Sequence, residues 1–259
     1  MFIVPRLVTL YIMLVVCGVI VLQIERAKRG AGIKIRRIPA LEAMTEVVGR
    51  ATEMGRPVHF TAGVGNLTTR GAQAMMASLE ILSYLSEMAA RYNSKIITTV
   101  AQGDVYAVSE EIIKGAFIRA GHPDAYSPDM IRYLSDSQFA YAGGIAGIIT
   151  REQCVANVMI GHFAAEALYI AESAHLAGAV QIAGTTNMYQ LPYLIAACDY
   201  VLIGEELFAA GAYFGKNLVD LGALSGQDFA RLFAVALIII GVALGTVGNK
   251  WLTDFLAFK

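Results

Sequence analysis

The chain is poor in cysteine and in the short motifs that carry nucleotide or nucleophile chemistry. It holds three cysteines in 259 residues, Cys17, Cys154 and Cys198, too few and too scattered for a disulfide framework or a zinc knuckle. Cys17 lies inside an apolar run, while Cys154 (QCVANVMI) and Cys198 (IAACDYVLI) have apolar neighbours. This predicts buried thiols, compatible with a reducing compartment. There is no G-x-x-x-x-G-K-[ST], which removes a P-loop, and no G-x-S-x-G, which removes a serine elbow. Gly63-Val64-Gly65 supplies two glycines of a dinucleotide fingerprint, but Thr68 stands where the third belongs, and the next strand runs into Gln102 rather than an acidic residue.

Metal-binding and acid-base patterns are equally thin. His162 and Glu166 are four apart and Glu172 and His175 three apart on one predicted helix. Bundle metal sites take such motifs from two helices with further carboxylates, so solvated or capping side chains are expected here and no metal site. Glu205 and Glu206 are neighbours at a helix start, where the macrodipole favours them, and neighbours on a helix do not face each other as an acid-base pair would. Enzyme chemistry is allowed but not indicated, and no cofactor is implied. A basic cluster (Arg26, Lys28, Arg29, Lys34, Arg36, Arg37) does not continue as a patch with interleaved aromatics, which argues against nucleic acid.

What the chain has in quantity is apolar residues, 56% of the total. Leu7 to Ile24 (LVTLYIMLVVCGVIVLQI) carries no charge and, at about 18 residues, is long enough to cross or nearly cross a bilayer as a helix. Leu232 to Gly248 (LFAVALIIIGVALGTVG) is a second such run, with a buried C-terminal helix as its alternative. Positive charge lies after the first run, and no small-residue cleavage pattern comes after it. The expectation is an uncleaved anchor with the domain in the cytoplasm and basic residues against lipid head groups. The organisation predicted is an anchor over residues 1–25, a basic juxtamembrane segment 26–37, an α/β domain 38–224, and a C-terminal helix with a transmembrane segment 225–259. Gly241 and Gly245 form a small-xxx-small pair that a neighbouring helix could approach closely.

Between the runs the pattern alternates strand and helix. Pro39 opens a helix with Leu41, Met44, Val47 and Val48 on one face, and Gly55 ends it. Strands are expected at 57–62, 95–101, 155–160, 179–183 and 200–203, and helices from about Gly71, Asp104, Phe163, Tyr189 and Glu205. Ser127-Pro128-Asp129 signals a short helix to about Leu134, and Phe139 to Thr150 (FAYAGGIAGIIT) reads as β-like with glycine interruptions. The fold class is α/β: a mostly parallel sheet covered by helices, Rossmann-like without the dinucleotide fingerprint, flanked by an N-terminal and a C-terminal transmembrane helix.

In such sheets ligands bind outside the carboxyl ends of the strands. That edge should carry Gly63, Gly65, Asn66, Thr68 and Thr69, then Gln102 and Asp104, then Gly161 and His162, then Gly184, Thr185, Thr186 and Asn187, then Gly204, Glu205 and Glu206. Small and hydrogen-bonding residues there suit a small polar ligand on helix N-termini, and they are equally the ordinary chemistry of caps and turns.

The stretch Ile38 to Asn66 (IPALEAMTEVVGRATEMGRPVHFTAGVGN) resembles a family of uncharacterised prokaryotic membrane proteins that carry a domain of unknown function. The resemblance extends to about Phe214 and implies the architecture alone, with no catalytic positions to carry over. The expected function is a membrane-anchored, self-associating scaffold or binding module on the cytoplasmic face. Its partners would be the lipid bilayer and further copies of the chain. The alternative is an enzyme or receptor for a small polar or phosphorylated ligand at the carboxyl edge.

Overall fold

A computed structural model of the chain describes residues 5–29, 38–68, 71–215 and 218–246. Thr69, Lys34, Arg36, Arg37 and the end of the second apolar run, from residue 247, lie outside the described residues. The chain divides into two compact units, Arg37–Gly215 and the two terminal segments.

The larger unit is a six-stranded, all-parallel sheet in the order β3-β2-β1-β4-β5-β6. Its strands are β1 (Val58–Gly63), β2 (Ile96–Val100), β3 (Ile131–Tyr133), β4 (Ala156–His162), β5 (Val180–Thr185) and β6 (Tyr200–Ile203). The chain builds outward from β1 to β3, returns to place β4 beside β1, and builds outward again to β6, so the strand order reverses between β1 and β4. β1 and β2 are buried at every residue and β4 at all but its last, as in a sheet covered by helices on both faces.

The helices arise from local signals. α1 (Pro5–Lys28) belongs to the other unit; α2 (Pro39–Met54) starts on Pro39 and stops where Gly55 takes φ 63°. There the Gly55 and Arg56 amides donate to the carbonyls of Thr52 and Ala51, closing the last turn. α3 (Ala72–Arg91) and α4 (Gly103–Arg119) connect β1 to β2 and β2 to β3, while α5 (Gln138–Glu152), α6 (Glu166–Leu176) and α7 (Leu191–Ala197) serve the other half of the sheet. α8 (Glu206–Phe214) packs back on α3. On the α5–α6 side Tyr141, Ile145, Ile149, Met159, Phe163 and Ile170 form one continuous core, each fully buried. Completely burying a side chain of that size is worth about 1.5–3 kcal/mol.

Two expectations fail in the same place. Phe139–Thr150 is not β-like: it lies within α5, because Tyr141, Ala142, Ile145, Ile148 and Ile149 recur at helical spacing and are all buried. Gly144 lets that helix settle on Leu134, whose Cδ1 would lie 3.0 Å from a Cβ at this position. The expected helix from Ser127 reduces to one 3-10 turn, Pro128–Met130, and Ile131 then enters the edge strand β3 beside Thr98. Pro128 supplies a helix start, but no apolar periodicity comes after it to sustain the helix.

The second unit is an antiparallel helix pair, α1 and α9 (Leu218–Thr246). α9 begins seven residues earlier than the predicted start at Ser225. Its close contact with α1 is made by Gly222 and Gly226: a Cβ on them would stand 2.6 Å from the Cα of Ile24 and 2.8 Å from the Cα of Ile20. Of the expected pair at Gly241 and Gly245, Gly245 has no atom of this chain within 4 Å of a Cβ placed on it. Gly222, Gly226, Ala230 and Ala234 repeat every four residues, a longer small-residue stripe than the predicted pair.

Candidate functional site

The reversal of strand order sets the carboxyl ends of β1 and β4 side by side, with the loop after β1 folded over them. Gly63, at φ 81°, lies so close to the His162 carbonyl that a Cβ there would stand 2.2 Å from its oxygen. Gly71, at φ 70°, lies against the His162 side chain, which a Cβ would approach to 2.5 Å. The Val64 amide donates to the His162 carbonyl at 3.0 Å. His162, half-buried, thus fills the place between the strand ends, and Gly63 and Gly71 are the residues that let backbone close over it.

Most of the remaining candidates are brought to the same edge and are used there in local structure. Asp104 accepts the Leu67 amide at 3.1 Å and the Val105 amide at 2.9 Å, tying the loop after β1 to the start of α4. Asn187 donates to the Phe163 carbonyl at 2.9 Å and accepts from the Tyr189 amide, while Thr185 accepts the Asn187 amide. These bonds join the loops after β4 and β5. Gly65 is buried, Asn66 and Thr186 are half-buried, Thr68 is exposed, and Gln102 is the extended residue before α4. Glu205 precedes α8 after β6, two strands beyond β4, and its neighbour Glu206 accepts the Ile203 amide. α8 runs along α3 with Gly211 against Ala77 and Gly215 against Glu80, so Glu205 lies at the end of α8 that is nearer the start of α3.

Beneath this edge lies a buried polar chain. His59 Nδ1 meets Asn157 Oδ1 at 2.8 Å and Nε2 meets Thr99 Oγ1 at 3.0 Å. The amide oxygen only accepts, so Nδ1 carries the ring proton and Nε2 accepts from the Thr99 hydroxyl. Tyr141 donates to the Thr99 carbonyl at 2.9 Å and pairs with Thr61 Oγ1 at 2.6 Å, which in turn accepts the Gly63 amide. Burial holds His59 neutral, with its pKa lowered from 6.5 to about 4, and pushes the Tyr141 phenol up to about 12. These groups are locked, not poised for proton transfer near neutral pH.

Glu166, one of the residues read as solvated or capping, is completely buried. It accepts the Ala164 amide at 2.9 Å and the Gln138 side chain at 2.6 Å, so it holds the turn that enters α6 and ties α6 to α5. No group of three or more metal-ligating side chains occurs among the described residues. All three cysteines are free; Cys154 is buried, Cys198 half-buried and Cys17 exposed. Burial pushes the Cys154 and Cys198 thiols up to about 12, which keeps them from acting as nucleophiles.

The opposite edge carries a feature that no sequence motif announces. Where β1 and β2 begin there is a cavity of about 640 Å³, lined by Lys95, Ile96 and Ile97, the end of α3, the 3-10 turn before β3, and Arg132 and Glu152. Arg132 pairs with Glu152 at 3.2 Å and donates to the Asp129 carbonyl at 3.3 Å.

The fold and these sites define a doubly wound parallel α/β domain in a chain whose α1 and α9 are long and apolar enough to cross a membrane. The chain belongs to the family described as Domain of unknown function (DUF6754), which matches residues 1–256. No curated protein and no solved structure matches it.

Proposed function

We propose that this chain is a membrane-anchored scaffold or binding module that self-associates and holds its α/β domain on the cytoplasmic face of the membrane. The reading is carried by the surface of the helix pair. Leu22, Leu232, Ile238, Ile239 and Val242 are each about 60–70% exposed, more apolar surface than a water-facing helix pair sustains. A bilayer covers such a surface. Arg26, Lys28 and Arg29 at the exit of α1 favour the cytoplasmic side for the α/β domain beyond them.

Self-association is supported by the register of the pair. Ile24 lies at Gly222 and Ile20 at Gly226, so one turn on, Val16 is level with Ala230. Asp228, exposed, then stands level with the middle of the uncharged run of α1. A charged side chain at mid-bilayer costs at least ~2.5–3.5 kcal/mol. A second copy laid along this face covers Asp228 and removes it from lipid. The carboxyl-edge ligand site is the weaker reading, because the Val64 amide is already given to the His162 carbonyl and the Leu67 amide to Asp104.

The test is native mass spectrometry on protein extracted from its own membrane in mild detergent. A multiple of the chain mass is expected, reduced towards the monomer by Asp228→Leu, which removes the charge that the second copy covers. A monomer for the unaltered chain removes self-association, and release of the chain by alkaline carbonate removes the anchor.

A further inference from the structure

We propose that the cavity at the amino-terminal edge of the sheet binds a small zwitterion, a molecule carrying an ammonium and a carboxylate on a short apolar body. At about 640 Å³ the cavity has the size of a small-molecule site. Ile96, Ile97 and Met130 provide an apolar lining, and the charged lining holds both signs, Lys95 and Arg132 against Asp129 and Glu152. Arg132 and Glu152 are already matched to each other. The Lys95 ammonium, at the foot of β2, and the Asp129 carboxylate, in the turn before the neighbouring β3, are both exposed and make no side-chain bond among the described residues.

The surroundings decide against a simple anion. α3 and α5 end at this cavity, through Asn93 and Glu152. Helix C-termini carry about half a negative charge each, and the uncommitted Asp129 carboxylate adds to them. A phosphorylated ligand would meet all of this repulsion. A simple amine would suit Asp129 and the helix ends and leave Lys95 unmatched. A zwitterion satisfies both uncommitted groups, with its body on Ile96 and Met130. This inference stands apart from the membrane reading, since every residue it uses lies in the α/β unit.

Isothermal titration calorimetry on the full chain in mild detergent tests it, with L-leucine, isoamylamine and 4-methylpentanoate as probes. Leucine is expected to bind saturably, and each singly charged analogue at least about tenfold more weakly. Lys95→Met should weaken leucine about tenfold and leave isoamylamine unchanged, while Asp129→Asn should weaken both. Both side chains are exposed, so the variants keep the fold, which a melting curve verifies. No heat from leucine up to about 10 mM, equal binding of the three probes, or leucine affinity indifferent to both substitutions would each overturn the proposal.

Discussion

The two units of this chain handle the same material in opposite ways. In the α/β unit Ile145, Met159, Phe163 and Ile170 are withdrawn from solvent, and even polar His59, Thr61 and Asn157 are sealed inside. In the helix pair Ile238, Ile239 and Val242 stand outward, while the residues in closest contact are glycines. Different forces therefore hold the two. Burial of apolar area drives the first, whereas small residues and close van der Waals contact hold the second, as in helix pairs within lipid.

The largest test of that contrast places one substitution in both units. Ile145→Ser, at a fully buried position, should cost about 4 kcal/mol from lost packing and a buried hydroxyl. Ile239→Ser, at a position 63% exposed, should leave the denaturant midpoint of the α/β unit within about 0.5 kcal/mol and alter only partition into membranes. Equal losses would dissolve the distinction.

Next in size is a pH effect confined to the α/β unit. His59 stays neutral in the fold to about pH 4, whereas the unfolded chain takes up that proton near its ordinary 6.5. The unfolded state therefore binds more protons in this window, and stability falls as pH drops from 6.5 towards 4, by about 3 kcal/mol in all. Denaturation at several pH values between 6.5 and 5, above the carboxylate range, should already show the slope; a level profile would mean that His59 is not sealed.

Tyr141→Phe removes a hydroxyl that serves both Thr61 and the Thr99 carbonyl, and should cost about 2 kcal/mol in a denaturant titration. Asp104→Ala frees the Leu67 and Val105 amides, which are nearer to solvent. It should cost only about 1 kcal/mol and appear mainly as faster hydrogen exchange in the loop after β1.

What can be read in the sequence depends on the range of each interaction. α2 and β1 are legible because Pro39, Gly55 and the run from Pro57 act on their immediate neighbours. β3 and α5 are not: glycines at 143, 144 and 147 resemble strand breakers until Leu134 packs against the helix they form. Turn chemistry places the loops at the carboxyl edge, yet nothing local announces that Asp104 holds Leu67 or that Glu166 takes Gln138. The chain from His59 to Asn157, Thr99 and Tyr141 joins three strands and a helix, and the amino-edge cavity depends on where α3 and α5 end. Neither has a signature in any contiguous stretch.

The outermost strands bear on how copies of this chain can grow into larger assemblies. β3 has three residues and β6 four. A strand docking from another chain would find only that much ladder to copy, too little to template extended cross-strand polymers. The sheet is therefore a poor nucleus for fibres.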